Sequence, residues 1–451
     1  MKNLLYLALL LTSQSFTQSI QGSWKGEINI NGFSLPLVFK IDSTSNGLIT
    51  KMDSPKQGAK DIPTNVTVFK NNELFIQIDA LQFIYKGTRQ TTDAIYGQVT
   101  QRGMTLPLNL QKQLKEDSII PKKQEPSKPY PYYSEDVVIV NKDHSLAGTL
   151  TLPKKDGKFP CVILISGSGP QNRDEELLGH KPFLIISDYL TRKGYAVLRY
   201  DDRGFGESTG NFATATTEDF ASDANACVNY LKSRNDITSV GLIGHSEGGL
   251  IAPMVASNNK EVAFIILLAG PGMKGKDLLR LQAKLIGKVN GMSEAQLSKS
   301  DSLNEQLYTL MVSNKDSATI INEINKAYSS YNGKPATESE IESLYAQLSS
   351  PWFNYFLLSN PTNYLEKVTC PVLALNGSLD LQVPAKENLE GIKLALTKGG
   401  NKHFKTIELK GLNHLFQKAK TGNPSEYATI EETFNSKALK EIEKWILDIY
   451  R

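Results

Sequence analysis

A serine stands among glycines in a pattern that is typical of a nucleophile elbow. The segment from Gly244 to Gly249 reads Gly-His-Ser-Glu-Gly-Gly. An apolar run over 240–243 predicts a strand before it, and 250–256 predicts a helix after it. Small neighbours are needed there because bulky ones would clash in the strained turn that exposes the hydroxyl. We therefore predict that Ser246 is a nucleophile.

A serine hydroxyl is a poor nucleophile at its ordinary pKa and needs a neighbouring general base. His414 follows a predicted strand over 404–409, so it lies at the same C-terminal sheet edge as Ser246, whereas His403 precedes that strand and lies at the other edge. Three other histidines are present. His144 lies in a predicted hairpin turn, His245 lies in the elbow, and His180 lies in the loop after the strand 161–166. We predict His414 as the base and expect His180 to border the site as a substrate-binding residue.

The base needs a carboxylate that fixes its tautomer and stabilises the imidazolium. Asp380 follows the predicted strand 372–376 and therefore lies at the same edge. The competing strand 263–268 ends in Ala-Gly-Pro-Gly, without an acid. We predict Asp380 as the third member of a triad.

Acyl transfer also needs backbone donors for a developing oxyanion. The loop Ser166–Pro170 follows a predicted strand, and we expect the backbone N–H groups of Ser168 and Glu247 to form the oxyanion hole. A plain turn is the alternative interpretation of this loop.

Two other patterns have structural interpretations. The pairs Gly167-x-Gly169 and Gly204-x-Gly206 lack the third glycine of a dinucleotide loop. Asp201-Asp202-Arg203 could be a paired-carboxylate site. The favoured interpretation is structural: these residues stabilise the turn after a strand, and Arg203 forms an ion pair within the protein. The three cysteines are far apart and have no histidine cluster of zinc spacing nearby, so we expect no metal site. Acyl transfer to water by a serine needs no cofactor, and we expect none.

The composition limits the class of protein. The chain has 451 residues, of which 40% are hydrophobic and 22% charged, as in ordinary globular domains. Fifty basic residues nearly cancel 47 acidic ones, and a formal charge of +3 makes nucleic acid an improbable partner. No later segment is long and apolar enough to predict a membrane span.

The chain divides into four regions that differ in composition and in the pattern of apolar residues. Residues 1–17 resemble a cleaved secretory signal without a lipoprotein cysteine, which predicts a secreted or periplasmic protein. Residues 19–115 alternate apolar and polar residues and predict a small antiparallel β domain, lipocalin-like at its start, which is either accessory or ligand-binding. Residues 116–135 contain four prolines and predict a stiff, solvated linker. From residue 136 to 451, apolar strands alternate with helices, which predicts a mostly parallel sheet covered on both faces.

Residues 136–451 resemble the α/β-hydrolase superfamily, in its bacterial carboxylesterase branch with a core like that of serine aminopeptidases and dienelactone hydrolases. The resemblance rests on the elbow, on the segments that carry Asp380 and His414, and on two loop segments, which are Ser166–Pro170 with Arg173-Asp174 and Arg199–Ser208. The order serine, aspartate, histidine is the one expected of this fold. Many relatives carry His-Gly where this chain has Ser166-Gly167.

The resemblance implies a helical lid over the nucleophile, which we place in the insertion 271–369. This insertion ends in an aromatic run in which Trp352 and Phe353 are candidate substrate-binding residues, although the rings could simply anchor the lid. The resemblance implies hydrolysis of carboxylic esters. A small apolar pocket closed by Trp352 or Phe353 would reject long chains, so we predict a preference for short acyl chains. The alternatives are a peptidase of aminopeptidase type and a secreted binding protein with a vestigial hydrolase core. The sequence leaves the oligomeric state open.

Overall fold

In a computed structural model of the chain, the described residues are 20–30, 33–45, 47–54, 59–101, 104–113, 122–313 and 315–450. The predicted signal over 1–17 lies outside them. They form two compact units, one holding the strands before residue 113 and the other holding residues 122–450. Within these ranges, no helix combines the length and the apolar character needed to cross a membrane.

The first unit is an antiparallel sheet in the order β4-β3-β2-β1-β10-β8-β7-β6-β5, with β9 paired to β8. Its strands are β1 (Gly22–Ile30), β2 (Phe33–Thr44), β3 (Gly47–Ser54), β4 (Ala59–Pro63), β5 (Val66–Lys70), β6 (Glu73–Ile78), β7 (Phe83–Arg89), β8 (Ala94–Gln101), β9 (Met104–Pro107) and β10 (Leu110–Lys112). Alternation along strands such as β6 turns one set of side chains inward. The resulting core contains Trp24, Phe39 and Tyr85, all fully buried.

The second unit is built on an eight-stranded sheet in the order β11-β12-β14-β13-β15-β16-β17-β18. Its strands are β11 (Tyr133–Asn141), β12 (His144–Leu152), β13 (Phe159–Ile165), β14 (Ala196–Tyr200), β15 (Ile237–His245), β16 (Val262–Leu268), β17 (Val372–Gly377) and β18 (Phe404–Leu409). The hairpin β11–β12 is antiparallel, and the strands from β14 to β18 are parallel. Continuous apolar runs form the parallel strands because both faces of the sheet are covered.

Helices cover both faces of this sheet. The covering helices are α1 (Pro182–Arg192), α2 (Thr217–Lys232), α3 (Gly248–Asn258), α10 (Ala385–Lys398) and α11 (Ser436–Ile449). One apolar core joins the sheet to α2, α3 and α10, and the other joins its opposite face to α1 and α11. The fold is that of an α/β-hydrolase.

Six helices lie between β16 and β17. They are α4 (Gly275–Val289), α5 (Glu294–Met311), α6 (Ser317–Asn332), α7 (Glu338–Leu348), α8 (Pro351–Leu358) and α9 (Thr362–Leu365). Part of this helical insertion has an apolar core of its own, which includes Leu307, Ile324 and Leu348. The helix α8 of the insertion contacts α2, one of the helices that cover the sheet.

The sequence predicts a solvated linker over 116–135, but the part from Lys122 to Tyr132, which we call the strap, is attached to the second unit. The Gln124 side chain accepts hydrogen bonds from the amides of Thr433 and Phe434 and donates one to the Phe434 carbonyl. The side chain of Glu125 is 7% exposed and pairs with Lys181 at 2.9 Å. Tyr132 donates a hydrogen bond to Asp188. Hydrogen bonds between polar side chains and backbone groups this far away in sequence produce no periodic pattern of apolar residues. The composition of the segment therefore predicted solvation, whereas the structure shows it bound to the second unit.

Candidate active site

Ser246 lies in a sharp turn between β15 and α3. Its φ of 53° is in the left-handed region, which a serine occupies only when its surroundings impose it. The turn is fixed by hydrogen bonds from the Ser246 amide to the Leu268 carbonyl and from the Gly249 amide to the Ser246 carbonyl. A Cβ on Gly244 would overlap the Gly248 carbonyl, and a Cβ on Gly248 would overlap the Ile165 carbonyl. The motif glycines are therefore required by close backbone packing.

His414 and Asp380 are paired at the same edge of the sheet. Nδ1 of His414 is 2.8 Å from Oδ2 of Asp380, and both side chains are buried. Oδ1 of Asp380 accepts hydrogen bonds from the amides of Gln382 and Val383, each at 2.8 Å. With both of its oxygens bound, the carboxylate is fixed in one orientation against the imidazole.

The loops that carry these two residues pack directly on each other. The Leu379 amide donates to the Leu412 carbonyl at 2.9 Å, and a Cβ on Gly377 would overlap that same carbonyl. Glycine at 377 therefore lets the loop after β17 approach the loop after β18. This close approach brings Asp380 and His414 together.

His414 is brought to the elbow through the residue before the nucleophile. The ring centroids of His245 and His414 are 4.9 Å apart, and Nε2 of His245 donates to the His414 carbonyl at 3.0 Å. Ser246 follows His245 directly. The structure thus gathers Ser246, His414 and Asp380 at one sheet edge.

The loop after β13 runs beside the nucleophile. A Cβ placed on Gly167 would lie 3.2 Å from the Ser246 Cβ, so only a glycine passes comfortably at this point. Ser168, the predicted donor, is the next residue, and Glu247 begins the turn into α3. Their role as oxyanion donors stays a prediction.

The Glu247 side chain is a feature that the sequence reasoning missed. Its carboxylate is 3% exposed and accepts hydrogen bonds from the Thr217 hydroxyl at 2.7 Å and from the Trp352 indole N–H at 2.9 Å. Burial raises the pKa of Glu247 to about 7, although both hydrogen bonds favour the ionised form. The signal in the sequence was an acid next to the nucleophile at the start of an apolar helix.

Trp352 therefore lies against the elbow, and its ring stacks on Phe356 with centroids 5.4 Å apart. Phe353 points to the core of the helical insertion, where it meets Tyr308 edge-on at 5.7 Å. Contact of either ring with a substrate stays a prediction.

His180 is 1% exposed, and both of its ring nitrogens have protein partners. Nδ1 lies 3.0 Å from the Thr433 hydroxyl, and Nε2 lies 2.9 Å from the Tyr427 carbonyl. This placement gives the ring a structural role, and substrate binding by His180 stays a prediction.

The turn-bracing interpretation of Asp201-Asp202-Arg203 is confirmed. Asp201 accepts hydrogen bonds from the Arg173 side chain. Asp202 accepts hydrogen bonds from the Ser166 hydroxyl and the Gln171 amide. Arg203 forms an ion pair with Asp223. Burial raises the pKa of Asp202 well above its ordinary value. Asp202 thereby holds both ends of the loop that contains Gly167 and Ser168.

Comparison with known proteins identifies the relatives of this chain. The family described as serine aminopeptidase S33 matches residues 183–416, which include Ser246, Asp380 and His414. The chain is 26% identical to the protein called Esterase EstD of Thermotoga maritima over 318 residues, which are 70% of this chain and 68% of EstD.

Solved structures of esterases are similar over 70% of this chain. The structure of Est1E from Butyrivibrio proteoclasticus with ferulic acid has 19% identity and a TM-score of 0.42, and the match covers 99% of that chain. The esterase Pf2001 of Pyrococcus furiosus has 18% identity and a TM-score of 0.44, and the match covers 91% of that chain.

Proposed function

The chain belongs to the serine aminopeptidase S33 family and is a carboxylesterase-type hydrolase of the α/β-hydrolase fold, and on this premise we propose that Ser246, His414 and Asp380 are its catalytic triad. The observation that carries this proposal is the 2.8 Å contact between Nδ1 of His414 and Asp380 beside the elbow. An aspartate at Nδ1 keeps the proton there and leaves Nε2 free to act as a base.

In the proposed reaction, Ser246 attacks the ester carbonyl carbon while Nε2 of His414 takes the hydroxyl proton. The N–H groups of Ser168 and Glu247 stabilise the oxyanion, each such donor contributing about 3 kcal/mol. The tetrahedral intermediate then expels the alkoxide, which receives the proton from His414. His414 next takes a proton from a water that attacks the acyl-enzyme. As the bond between the acyl carbon and the Ser246 oxygen breaks, His414 returns this proton to that oxygen, and the acid leaves as product.

The proposed substrates are small carboxylic esters with short acyl chains. Trp352 of α8 lies against the residue that follows the nucleophile, and this supports a pocket that is closed near the serine. Each buried methylene adds about 0.8 kcal/mol only while it fits the pocket. A closed pocket of this kind accepts butyryl esters and rejects palmitoyl esters.

Replacement of Ser246 by alanine tests the assignment. In Ser246→Ala, kcat for p-nitrophenyl butyrate is expected to fall by roughly ten-thousand-fold or more, because the nucleophile is removed. The melting temperature should stay near that of the wild type. A folded variant that retains more than about 1% of the activity contradicts the proposal.

A peptidase is the second candidate, and the description of the family favours it. Aryl esters compared with aminoacyl anilides at equal enzyme concentration distinguish the two activities. Faster release from an anilide than from the matched ester would replace the ester assignment.

We also propose export, supported by the charged start and the apolar stretch over 4–11. The amino-terminal sequence of the secreted protein is expected to begin after Ser15 or Thr17. A protein that keeps Met1 or Lys2 contradicts export through a cleaved signal.

A further inference from the structure

A buried ion pair lies directly behind the nucleophile. Nδ1 of His245 is 2.9 Å from Oε1 of Glu175, and Nε2 is 3.0 Å from the His414 carbonyl. His245 is 6% exposed and Glu175 is 5% exposed. A carboxylate and a carbonyl can only accept hydrogen bonds, so both ring nitrogens must donate. The protonation state of His245 that gives both of these oxygens a donor is the imidazolium.

The same pair joins three segments of the candidate site. Oε1 of Glu175 also accepts a hydrogen bond from the Gly167 amide at 2.9 Å. Gly167 belongs to the loop of the predicted oxyanion donor, His245 precedes the nucleophile, and the His414 carbonyl belongs to the loop of the predicted base. The backbone at Glu175 has a φ of 50°, a left-handed conformation that costs energy in a residue other than glycine.

The surroundings of the pair are apolar on one side. The neighbours of Glu175 and His245 on that side are Pro182, Phe183, Ile186, Leu268, Leu415 and Phe434. Water is scarce among such side chains, so the electrostatic interaction is stronger there than at the surface. Loss of one charge would leave the other buried and unpaired.

We propose that Glu175 and His245 are positioning residues for the hydrolysis described above, holding the oxyanion loop and the loop of the base at fixed distances from Ser246. This inference rests on the proposed function and adds two residues to it. Neither side chain touches the substrate. Each acts through backbone groups, Glu175 through the Gly167 amide and His245 through the His414 carbonyl.

The arrangement has a pH dependence that a packing role would not have. The titratable groups facing His245 are Glu175, Asp380 and the ring of His414. Burial lowers the pKa of His245, but Glu175, the hydrogen bonds and Asp380 outweigh burial and bring the pKa above its ordinary value. A neutral imidazole has one N–H, so on deprotonation either Glu175 or the His414 carbonyl loses its donor. Activity should therefore fall at the alkaline end as His245 loses its proton.

Glu175→Gln tests the role of the charge. The amide oxygen of glutamine can still accept the hydrogen bond from Gly167, but it does not stabilise an imidazolium. With p-nitrophenyl butyrate, kcat is expected to fall roughly 10- to 100-fold with little change in KM, because misplacement affects the transition state most. The alkaline limb of the kcat/KM profile should move to lower pH.

A matched control breaks another buried pair of histidine and carboxylate in the same unit. Nε2 of His144 is 2.7 Å from Oδ1 of Asp223, and His144 is 8% exposed. His144→Gln is expected to lower the melting temperature and to leave the alkaline limb in place. If Glu175→Gln fails to fold, His245→Gln is measured in the same way, and the alkaline limb should then disappear because its titrating group is gone.

The outcomes separate the two proposals. A folded Glu175→Gln or His245→Gln variant with kcat within about twofold of the wild type and an unmoved alkaline limb overturns the positioning role. The positioning role is also overturned if the alkaline limb of the pH profile moves as far in His144→Gln as in Glu175→Gln, because the shift would then reflect lost stability. The proposed function itself is contradicted if the wild-type protein hydrolyses no ester and is not labelled at Ser246 by a fluorophosphonate.

Discussion

At the scale of single residues, the side chain of Glu247 is buried next to the candidate nucleophile. It is a buried carboxylate with two neutral hydrogen-bond donors, Thr217 and Trp352. Burial raises its pKa from 4.5 to about 7. An acid whose pKa is higher in the folded state binds more protons there than in the unfolded state, so its ionisation reduces stability as the pH rises.

Glu247→Gln measures this effect. In the wild type, the contribution of Glu247 to stability is greatest below pH 4.5 and decreases up to about pH 7, by at most about 3 kcal/mol. Glutamine can accept the same hydrogen bonds and does not titrate. The variant should therefore gain stability relative to the wild type between pH 4.5 and 7, as measured by denaturant unfolding. A stability difference that does not change with pH contradicts the raised pKa.

The triad candidates could be predicted at this scale because each one follows a recognisable strand or lies in a local motif. Glu175 could not, because it stands in the acidic run Asp174-Glu175-Glu176, where nothing distinguishes the middle residue. Its partner His245 is 70 positions further along the chain. Only the folded backbone brings the two together.

At the scale of elements, α8 connects the helical insertion to the elbow. Its tryptophan binds the Glu247 carboxylate through the indole N–H and stacks on Phe356 of the same helix. The sequence predicted an insertion with an aromatic end, and apolar helical patterns sufficed for that. The hydrogen bond to Glu247 is a tertiary contact with no local pattern.

Trp352→Ala tests whether α8 limits the acyl chain. The wild type should prefer butyryl over palmitoyl esters, and removal of the indole should move the optimum to longer chains because space opens beside the nucleophile. Leu358→Ala is the control, since Leu358 lies on the same helix and is 69% exposed. The pocket argument is wrong if the wild type hydrolyses palmitoyl esters faster than butyryl esters.

At the scale of the whole molecule, the strap belongs to the second unit and not to a free linker. Its composition, rich in proline and charge, predicts solvation. The folded chain instead places Gln124 against backbone groups up to 310 positions away. Strand and helix periodicity predicted both folds well, and it carries no information on such contacts.

Two truncations test the strap. A fragment that begins at Ile119 keeps the strap and should retain ester hydrolysis, in line with an accessory role for the β domain. A fragment that begins at Tyr133 loses the hydrogen bonds of Gln124 and the pair of Glu125 with Lys181. Its melting temperature should be about 5 °C lower than that of the Ile119 fragment, at roughly 1 kcal/mol for each lost hydrogen bond.

Two outcomes would contradict these expectations. Equal melting temperatures of the two fragments would show that the strap adds no stability. An Ile119 fragment that is folded but inactive would show that the β domain helps to build the site.

The order of strands also has a consequence for biosynthesis. From β15 to β18, each new parallel strand is added to the outer edge of the previous one. His414 leaves the ribosome 169 residues after His245, an interval of roughly 10 to 30 seconds at ordinary rates of translation. The nascent chain carries Ser246 without its proposed aspartate until Asp380 emerges, and without its proposed base until His414 emerges, so it should not attack esters before then. Reactivity begins only when the last strand has docked, which keeps an emerging hydrolase inert while it is being made.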